Sequence, residues 1–513
     1  MTISPGPLAR LLLSACVAAS LSVSAIGAGT VPQWPGFRGP NGTGVADADT
    51  PPITFGPAEK LLWKRAIPPG HSSPVVWDDR IFLTAADGWS LHVMALRRRD
   101  GATLWTRSIA AEHTQALHSS ASPAAPTPVT DGRRVVAYFP SFGLIAFDRD
   151  GVELWRHPLP LMPIPFGTGT SPILVGDKVV LQRDGSSADA ELLALDASSG
   201  RVAWRTARAL MGDSWSTPMV WRRNDIEEIV TMGASKVVAY ALDGTERWSV
   251  GGLPGQSIAL AVPGDGVLFA SAFYATGTPE SPWQVPAWSE LRDRYDADGD
   301  GVIRIQDVPP DVRVMLRPEV SSQTDGSTLT LRRVIQLLDQ NKDEATTQAE
   351  YEPAIASLRS RTSTVMAIRP GGRGDCTGTH VAWKDSRGVP EITSPLFYRD
   401  RLYLVRDGGM LTSYAPDGAL LLDRKRLGVP GQYAASPVAA DGRIYAASVS
   451  GTVVVFRAGD TLEVLARNDL DEPIMATPAI AADTLYVRSA GHLWAFGDAE
   501  ATRSPSAGSA TGR

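Results

Sequence analysis

The sequence predicts an all-β chain: an eight-bladed β-propeller of four-stranded antiparallel blades, closed by an N-terminal strand and carrying a small α-helical insertion. The first observation behind this is a Ser/Thr-Pro pair followed by a strand-like run. It recurs at Ser73-Pro74, Thr127-Pro128, Ser171-Pro172, Thr217-Pro218, Ser394-Pro395, Ser436-Pro437 and Thr477-Pro478, with Val262-Pro263 as a weaker member. Successive prolines stand 54, 44, 46, 45, 132, 42 and 41 residues apart, the period of a repeated sheet of which one copy is enlarged. The second is a series of tryptophans, Trp63, Trp105, Trp155, Trp204, Trp248 and Trp383, each in a short strand-like run. The third is a set of β-branched and aromatic runs, Arg80 to Thr84, Lys178 to Gln182, Arg401 to Val405 and Arg443 to Ala447, each following an Asp- or Gly-containing turn.

Five of the tryptophans follow a mark at the distance expected of an outer strand. Trp63 precedes the first mark and has no unit of its own, whereas the last unit, Thr477 to Gly497, lacks an outer strand. The Trp63 segment is therefore expected to complete the last blade and close the ring, which removes exposed sheet edges.

In chain order, residues 1–28 hold one Arg, no acid and an apolar run from Leu11 to Ala28, the pattern of a secretory signal cleaved near Ala25 or Ala28. Leu13-Ser14-Ala15-Cys16 also fits a lipoprotein box, so a lipid anchor at Cys16 is the alternative, although the five residues between Arg10 and Cys16 are short for that processing. Residues 29–58, with Trp34-Pro35-Gly36-Phe37-Arg38-Gly39-Pro40, are irregular and expected to lie across one face of the ring. Residues 59–275 hold the closing strand and the blades up to the first part of the fifth, 276–361 the insertion, and 362–498 the rest of the ring. The tail 499–513 has the Ser/Ala/Gly/Thr composition of a disordered segment.

The bulk numbers restrict function. At 513 residues with 43% hydrophobic and 20% charged residues there is ample core, and a net charge of −6 offers no basic footprint for nucleic acid. No stretch after the leader is apolar enough to span a bilayer. With the leader removed, Cys376 is the one cysteine and no intrachain disulfide can form. The expected compartment is the periplasm or the exterior of a bacterium.

In the insertion the β pattern gives way to helical patterns. Asp296, Asp298, Asp300 and Asp307 fall at positions 1, 3, 5 and 12 of a twelve-residue loop, with Gly301 at the sharp turn and the Val302 carbonyl as a further donor. Hard cations such as Ca²⁺ take oxygen ligands in this spacing. A helix Ala287 to Tyr295 is expected before the loop and another from about Ile305 after it. A second loop offers Asp339, Asn341, Asp343 and Glu350 and follows an apolar helix, Leu331 to Leu338. The insertion resembles an EF-hand pair. Arg304 stands at position 9 of the first loop and Asp307 replaces the longer Glu at its end; Glu344 replaces the turn Gly of the second, where a side chain is costly. The first loop is expected to bind Ca²⁺ and the second to bind weakly, with a structural role for the ion.

At Ala194-Leu-Asp196-Ala-Ser-Ser-Gly200-Arg-Val-Ala-Trp204 the chain carries the full Ala-x-Asp-x-x-x-Gly-x-x-x-Trp signature of quinoprotein-type propellers, with partial copies ending at Trp105, Trp155 and Trp248. With His71-Ser-Ser-Pro74 and Asp375-Cys-Thr-Gly-Thr-His380, the chain resembles bacterial PQQ-binding-like β-propeller repeat proteins. Such proteins include periplasmic PQQ- and Ca²⁺-dependent alcohol dehydrogenases, and binding scaffolds without chemistry such as the propeller lipoprotein of outer-membrane assembly. The dehydrogenases that the resemblance brings in carry adjacent cysteines beside the quinone, and the mature chain has one. The residues three before each repeat proline, His71, Ala125, Gly169, Trp215, Leu260, Ile392, Ala434 and Met475, should line the funnel, and they do not supply the convergent cations or the base carboxylate such a site needs. His71 and Trp215 are the candidate funnel ligands. His71, His113, His118 and His380 match no zinc spacing. The expected function is a scaffold for a protein or peptide partner with a Ca²⁺-binding insertion, the alternative a PQQ-dependent alcohol or sugar dehydrogenase.

Overall fold

In the computed structural model the described residues are 31–111, 121–162, 164, 166–185, 188–209, 211–255, 257–274, 284–314, 330–339 and 341–498. The leader, Cys16, His113, His118 and the tail from 499 lie outside them. Eight antiparallel sheets of four strands follow one another along the chain, two of them gaining a fifth strand. Their inner strands are Val75–Trp77, Val129–Thr130, Ile173–Val175, Met219–Arg223, Val262–Gly264, Leu396–Tyr398, Val438–Ala440 and Ala479–Ala481, which define blades 1 to 8. Leu61–Ala66 pairs antiparallel with His492–Phe496, so the N-terminal strand is the outer strand of blade 8, as the unpaired Trp63 required.

The Ser/Thr-Pro marks have one physical cause. Each mark sits at the head of an inner strand, and at five of them the backbone N–H donates to the hydroxyl of the next blade's mark: Ser73 to Thr127 at 3.0 Å, Thr127 to Ser171 at 2.9 Å, Ser171 to Thr217 at 3.0 Å, Ser394 to Ser436 at 2.9 Å and Ser436 to Thr477 at 3.0 Å. Where Val262 breaks the series, the Leu260 N–H donates to Ser394 Oγ at 3.2 Å. Buried backbone donors thus find partners between blades that no sheet ladder could supply.

The tryptophans join the outer parts of the ring. Trp63, Trp105, Trp155, Trp204 and Trp383 donate their indole N–H to a carbonyl of the following blade, those of Arg98, Arg149, Ala197, Leu242 and Pro416, at 2.8 to 3.0 Å. Each ring lies on the glycine of that blade's signature turn, Gly101, Gly151, Gly200, Gly244 or Gly418. Trp248 differs. Its N–H goes to the buried Glu228 carboxylate of its own blade at 3.1 Å, and its strand is flanked by a parallel fifth strand, Gly374–Asp375.

Residues 32–50 form a strap across the far ends of the inner strands. Gln33–Trp34 adds a strand inside blade 1, Asn41 exchanges hydrogen bonds with Val220 of blade 4, Ala46 bonds to Ala439 of blade 7, and Thr50 to Asp483 of blade 8. Trp34 and Arg38 are fully buried. The Arg38 guanidinium meets only carbonyls, those of Gly42, Ser394, Thr43 and Pro395, and burial lowers its pKa to about 9.

The insertion lies between the second and third strands of blade 5, Val267–Ala272 and Thr364–Ile368. Second-to-third-strand hairpins share the end of the ring with the marks, so the insertion stands on the face opposite the strap. Its helices are α1 (Trp288–Tyr295), α2 (Leu331–Leu338) and α3 (Gln348–Ser360) around a separate core of Trp288, Leu291, Ile303, Val334, Ile335 and Tyr351. α1 and α2 match the helices expected from sequence. The helix expected from Ile305 is instead a single 3₁₀ turn, Ile305–Asp307, because Pro309 and Pro310 follow at once.

Candidate functional site

Two places gather chemistry on the mark face: the loops of the insertion and the funnel mouth. In the first loop, ligand atoms of Asp296, Asp298 and Asp300 lie within 4.8 Å of one another. Asp296 Oδ2 accepts the Gly301 N–H at 3.0 Å, which folds the loop inward, while Asp296 Oδ1 is buried and has no partner. Arg304 turns back onto the same cluster, 2.5 Å from Asp300 and 3.5 Å from Asp298, and its hydrogen bond draws the Asp300 carboxyl below the usual carboxylate range. Asp307 ends the loop in the 3₁₀ turn.

The two loops are joined back to back. Val302–Arg304 pairs antiparallel with Ala345–Thr347, Ile303 opposite Thr346, and both are fully buried at the junction. In the second loop Asp339 Oδ2 accepts the Glu344 N–H at 2.9 Å, and Asn341 reaches Asp343 at 2.9 Å and Glu350 at 3.4 Å. Glu344 is held at φ 59°, the left-handed conformation that its sequence position demands in place of a glycine. Glu350 Oε2 also accepts from the Thr347 N–H and hydroxyl at 2.9 Å each, a capping interaction that fixes the first turn of α3.

At the funnel mouth the residues three before each proline differ in exposure. Trp215 and Leu260 are buried, Gly169 is exposed, and His71, Ala125, Ile392, Ala434 and Met475 are half-buried. Trp215 donates its indole N–H to the Gly167 carbonyl at 2.6 Å and packs with Met162 and Ile164. Phe166 lies beside it, 56% exposed, with φ 63°, a strained conformation for a bulky residue. Trp89, 61% exposed, tips the blade 1 hairpin on the same face. His71 stands on blade 1 and Trp215 on blade 4.

Sequence reasoning did not single out two buried arginines of this face. Arg208 forms a two-point ion pair with Asp184 at 2.6 and 2.8 Å and also meets Thr231 and Tyr240. Arg488 lies under the blade 8 to blade 1 seam, bonded to carbonyls of Ser72, Thr84 and Pro68 and to the Ser72 hydroxyl. Neither has a motif, because their partners come from other strands and, for Arg488, from 404 to 420 residues away.

A tricarboxylate quinone would need several converging cations. Of the two, Arg208 is neutralised by Asp184, which leaves the single charge of Arg488, too few for three carboxylates, so the described funnel residues do not fit that group.

With this geometry in hand, comparison with known proteins identifies the family. A family model described as outer membrane protein assembly factor BamB matches residues 57–164, 146–272 and 375–504, well over half of the chain. The chain belongs to this family. The BamB matches bracket the insertion, which falls between the second and third of them. Among solved structures the chain is similar to BamB from Moraxella catarrhalis, at 13% identity and TM-score 0.51, covering 85% of this chain and 99% of that one. It is also similar to the computationally designed Ika8 protein, at 11% identity and TM-score 0.51 over the same shares of both chains. A quinohemoprotein alcohol dehydrogenase, ADHIIG from Pseudomonas putida HK5, aligns at 13% identity and TM-score 0.49, covering 91% of this chain and 80% of that one. At these identities the two likenesses at TM-score 0.51 speak for the fold alone. No curated protein matches the chain.

Proposed function

We propose that this chain is an extracytoplasmic scaffold that binds protein or peptide partners on its mark face, and that its insertion is a Ca²⁺-binding EF-hand pair. The observation that carries the first part is the asymmetry of the ring. The strap covers one face with its own chain, while the other presents the funnel, the exposed Trp89 and Phe166, and the insertion. Exposed aromatic anchors are what protein recognition uses. Membership of the BamB family, whose description is that of an assembly factor, supports the same reading, as does an apolar leader before residue 29. Among the described residues no helix is long and apolar enough to cross a membrane.

The Ca²⁺ reading rests on donor chemistry. Asp296, Asp298, Asp300, Val302 and Asp307 would hold one ion and Asp339, Asn341, Asp343 and Glu350 a second. The buried, unpartnered Asp296 Oδ1 suits a cation. Residues 276–361 carry fifteen acidic against ten basic residues, a net −5 of the chain's −6. Bound Ca²⁺ would neutralise the loop carboxylates and fix the angle between the helices.

The test is an absorption spectrum after incubation with PQQ and Ca²⁺, followed by gel filtration and a dye-linked alcohol assay. The scaffold reading expects no retained quinone and no dye reduction; stoichiometric retention with turnover would replace it by the dehydrogenase.

A further inference from the structure

Arg488 is a buried cation without a counter-charge. It is 1% exposed, and no carboxylate among the described residues meets it. Nη1 donates to the Ser72 carbonyl at 3.1 Å, the Ser72 hydroxyl at 2.6 Å and the Thr84 carbonyl at 2.8 Å, and Nη2 to the Pro68 carbonyl at 3.2 Å. Nε has no partner. Arg38 is buried just as deeply, but each of its three side-chain nitrogens bonds to a carbonyl of the strap or of blade 6, and it serves to lock the two together. Arg488 differs in its neighbour. Gly70 passes so close that a Cβ there would lie 2.5 Å from Nη2, and the next residue is His71. The backbone of His71 is tied to the Ala124 carbonyl at 3.1 Å, yet its half-buried imidazole makes no hydrogen bond among the described residues. Burial, and then the Arg488 charge, hold that imidazole at a pKa of about 4, and no other charged group among the described residues acts on it. It is therefore neutral, and its ring N–H has no acceptor among the described residues, beside a positive field that low-dielectric surroundings do not screen.

We propose that the funnel wall at the blade 8 to blade 1 seam binds a carboxylate, which accepts a hydrogen bond from the His71 ring and supplies the counter-charge that Arg488 lacks. A single cation suits a single carboxylate. The proposal deepens the mark-face reading and rests on it only for the side from which the ligand arrives. The carboxylate belongs either to an acidic side chain of a partner or to a small free acid, and two probes separate these.

The experiment is long-range ¹H–¹⁵N correlation of the full mature chain labelled at histidine, with the His71 ring assigned by its loss in His71→Phe. Succinate and the peptide acetyl-Ala-Glu-Ala-amide are titrated separately, against sodium chloride at equal ionic strength and acetyl-Ala-Gln-Ala-amide. The expected result is a saturable His71 shift with a carboxylate probe and not with the controls, and a ring pKa about one unit higher when bound. Saturation by the peptide alone assigns the site to a partner side chain, and saturation by succinate to a free acid; either supports the site. Arg488→Gln should weaken binding at least about tenfold, while Arg488→Lys retains part of it. Should Arg488→Gln fail to fold, the wild-type titration decides alone. Absence of a saturable shift, or an equal shift with chloride or the Gln peptide, overturns the proposal and leaves partner binding elsewhere on the mark face untouched.

Discussion

The indole of Trp155 lies on Gly200, so close that a Cβ at Gly200 would stand 2.6 Å from the ring, and its N–H reaches the Ala197 carbonyl at 2.9 Å. One contact thus joins the outer strand of blade 2 to the signature turn of blade 3. Gly200 is at φ 68°, where an L side chain is strained, so Gly200→Ala meets both a backbone and a steric cost. We expect a loss of about 2–4 kcal/mol in urea denaturation. Unchanged stability would show that the tryptophan and glycine series is not what couples the blades.

The inner ring makes a separate prediction. Thr127 accepts the Ser73 N–H and donates its own N–H to Ser171. Thr127→Val keeps the volume but leaves the Ser73 N–H buried without a partner, at a cost of about 1–3 kcal/mol, and Thr127→Ser should restore most of it. Equal melting temperatures for the Val and Ser variants would contradict the relay.

Ring closure should depend on pH. Partial burial raises the pKa of Glu472, but the His492 imidazole 2.6 Å away and hydrogen bonds from Ser489 and Lys64 outweigh it and hold the carboxyl at about 2. Lys64 belongs to the N-terminal strand, so this cluster clasps the two ends of the ring. A carboxyl depressed in the folded state contributes stability above its unfolded pKa and loses it as pH falls through the folded value, here between about 4.5 and 2. Discounted for solvent screening, the contribution is about 1 kcal/mol. The stability gap between wild type and Glu472→Gln should be constant near pH 6 and close towards pH 2; a gap independent of pH would remove the clasp.

Calcium titration by calorimetry tests the insertion. Asp296→Ala and Asp300→Ala should abolish the first-loop heat, since both carboxylates would be ligands. Arg304 competes with a cation for Asp298 and Asp300, so Arg304→Gln should tighten binding several-fold, as removal of a partly exposed ion pair of about 1 kcal/mol implies. Unchanged heats in the Asp variants would remove the first loop as the site.

Much of the fold was legible because the repeat leaves a residue-level mark wherever blades must meet. Ser/Thr-Pro marks are visible since their hydroxyls accept the backbone N–H of the preceding blade, and even the gap at Val262 corresponds to the one place where Leu260 takes over the donation. Trp63 betrayed ring closure because a tryptophan without a unit has to complete another sheet. The strap was foreseen only as a segment across one face: Trp34 and Arg38 are held by irregular backbone contacts with blades far away in sequence, which leave no period. Arg488 was missed for the same reason. It reads as the last residue of an ordinary strand, and only the closed ring brings Ser72 and His71 to it. Arg304 was legible as an intruder in its loop, but that it turns onto Asp300 required coordinates.

The most direct test of partner binding on the mark face is site-specific photo-crosslinking in the native host. A benzoyl-phenylalanine replaces, in turn, Trp89 and Phe166 on the mark face, Pro40 on the strap, and Leu154 on the outer wall. The account predicts discrete protein adducts, identified by mass spectrometry, from Trp89 and Phe166 and none from Pro40 or Leu154. Adducts from Pro40 or Leu154 with none from the mark face would contradict it.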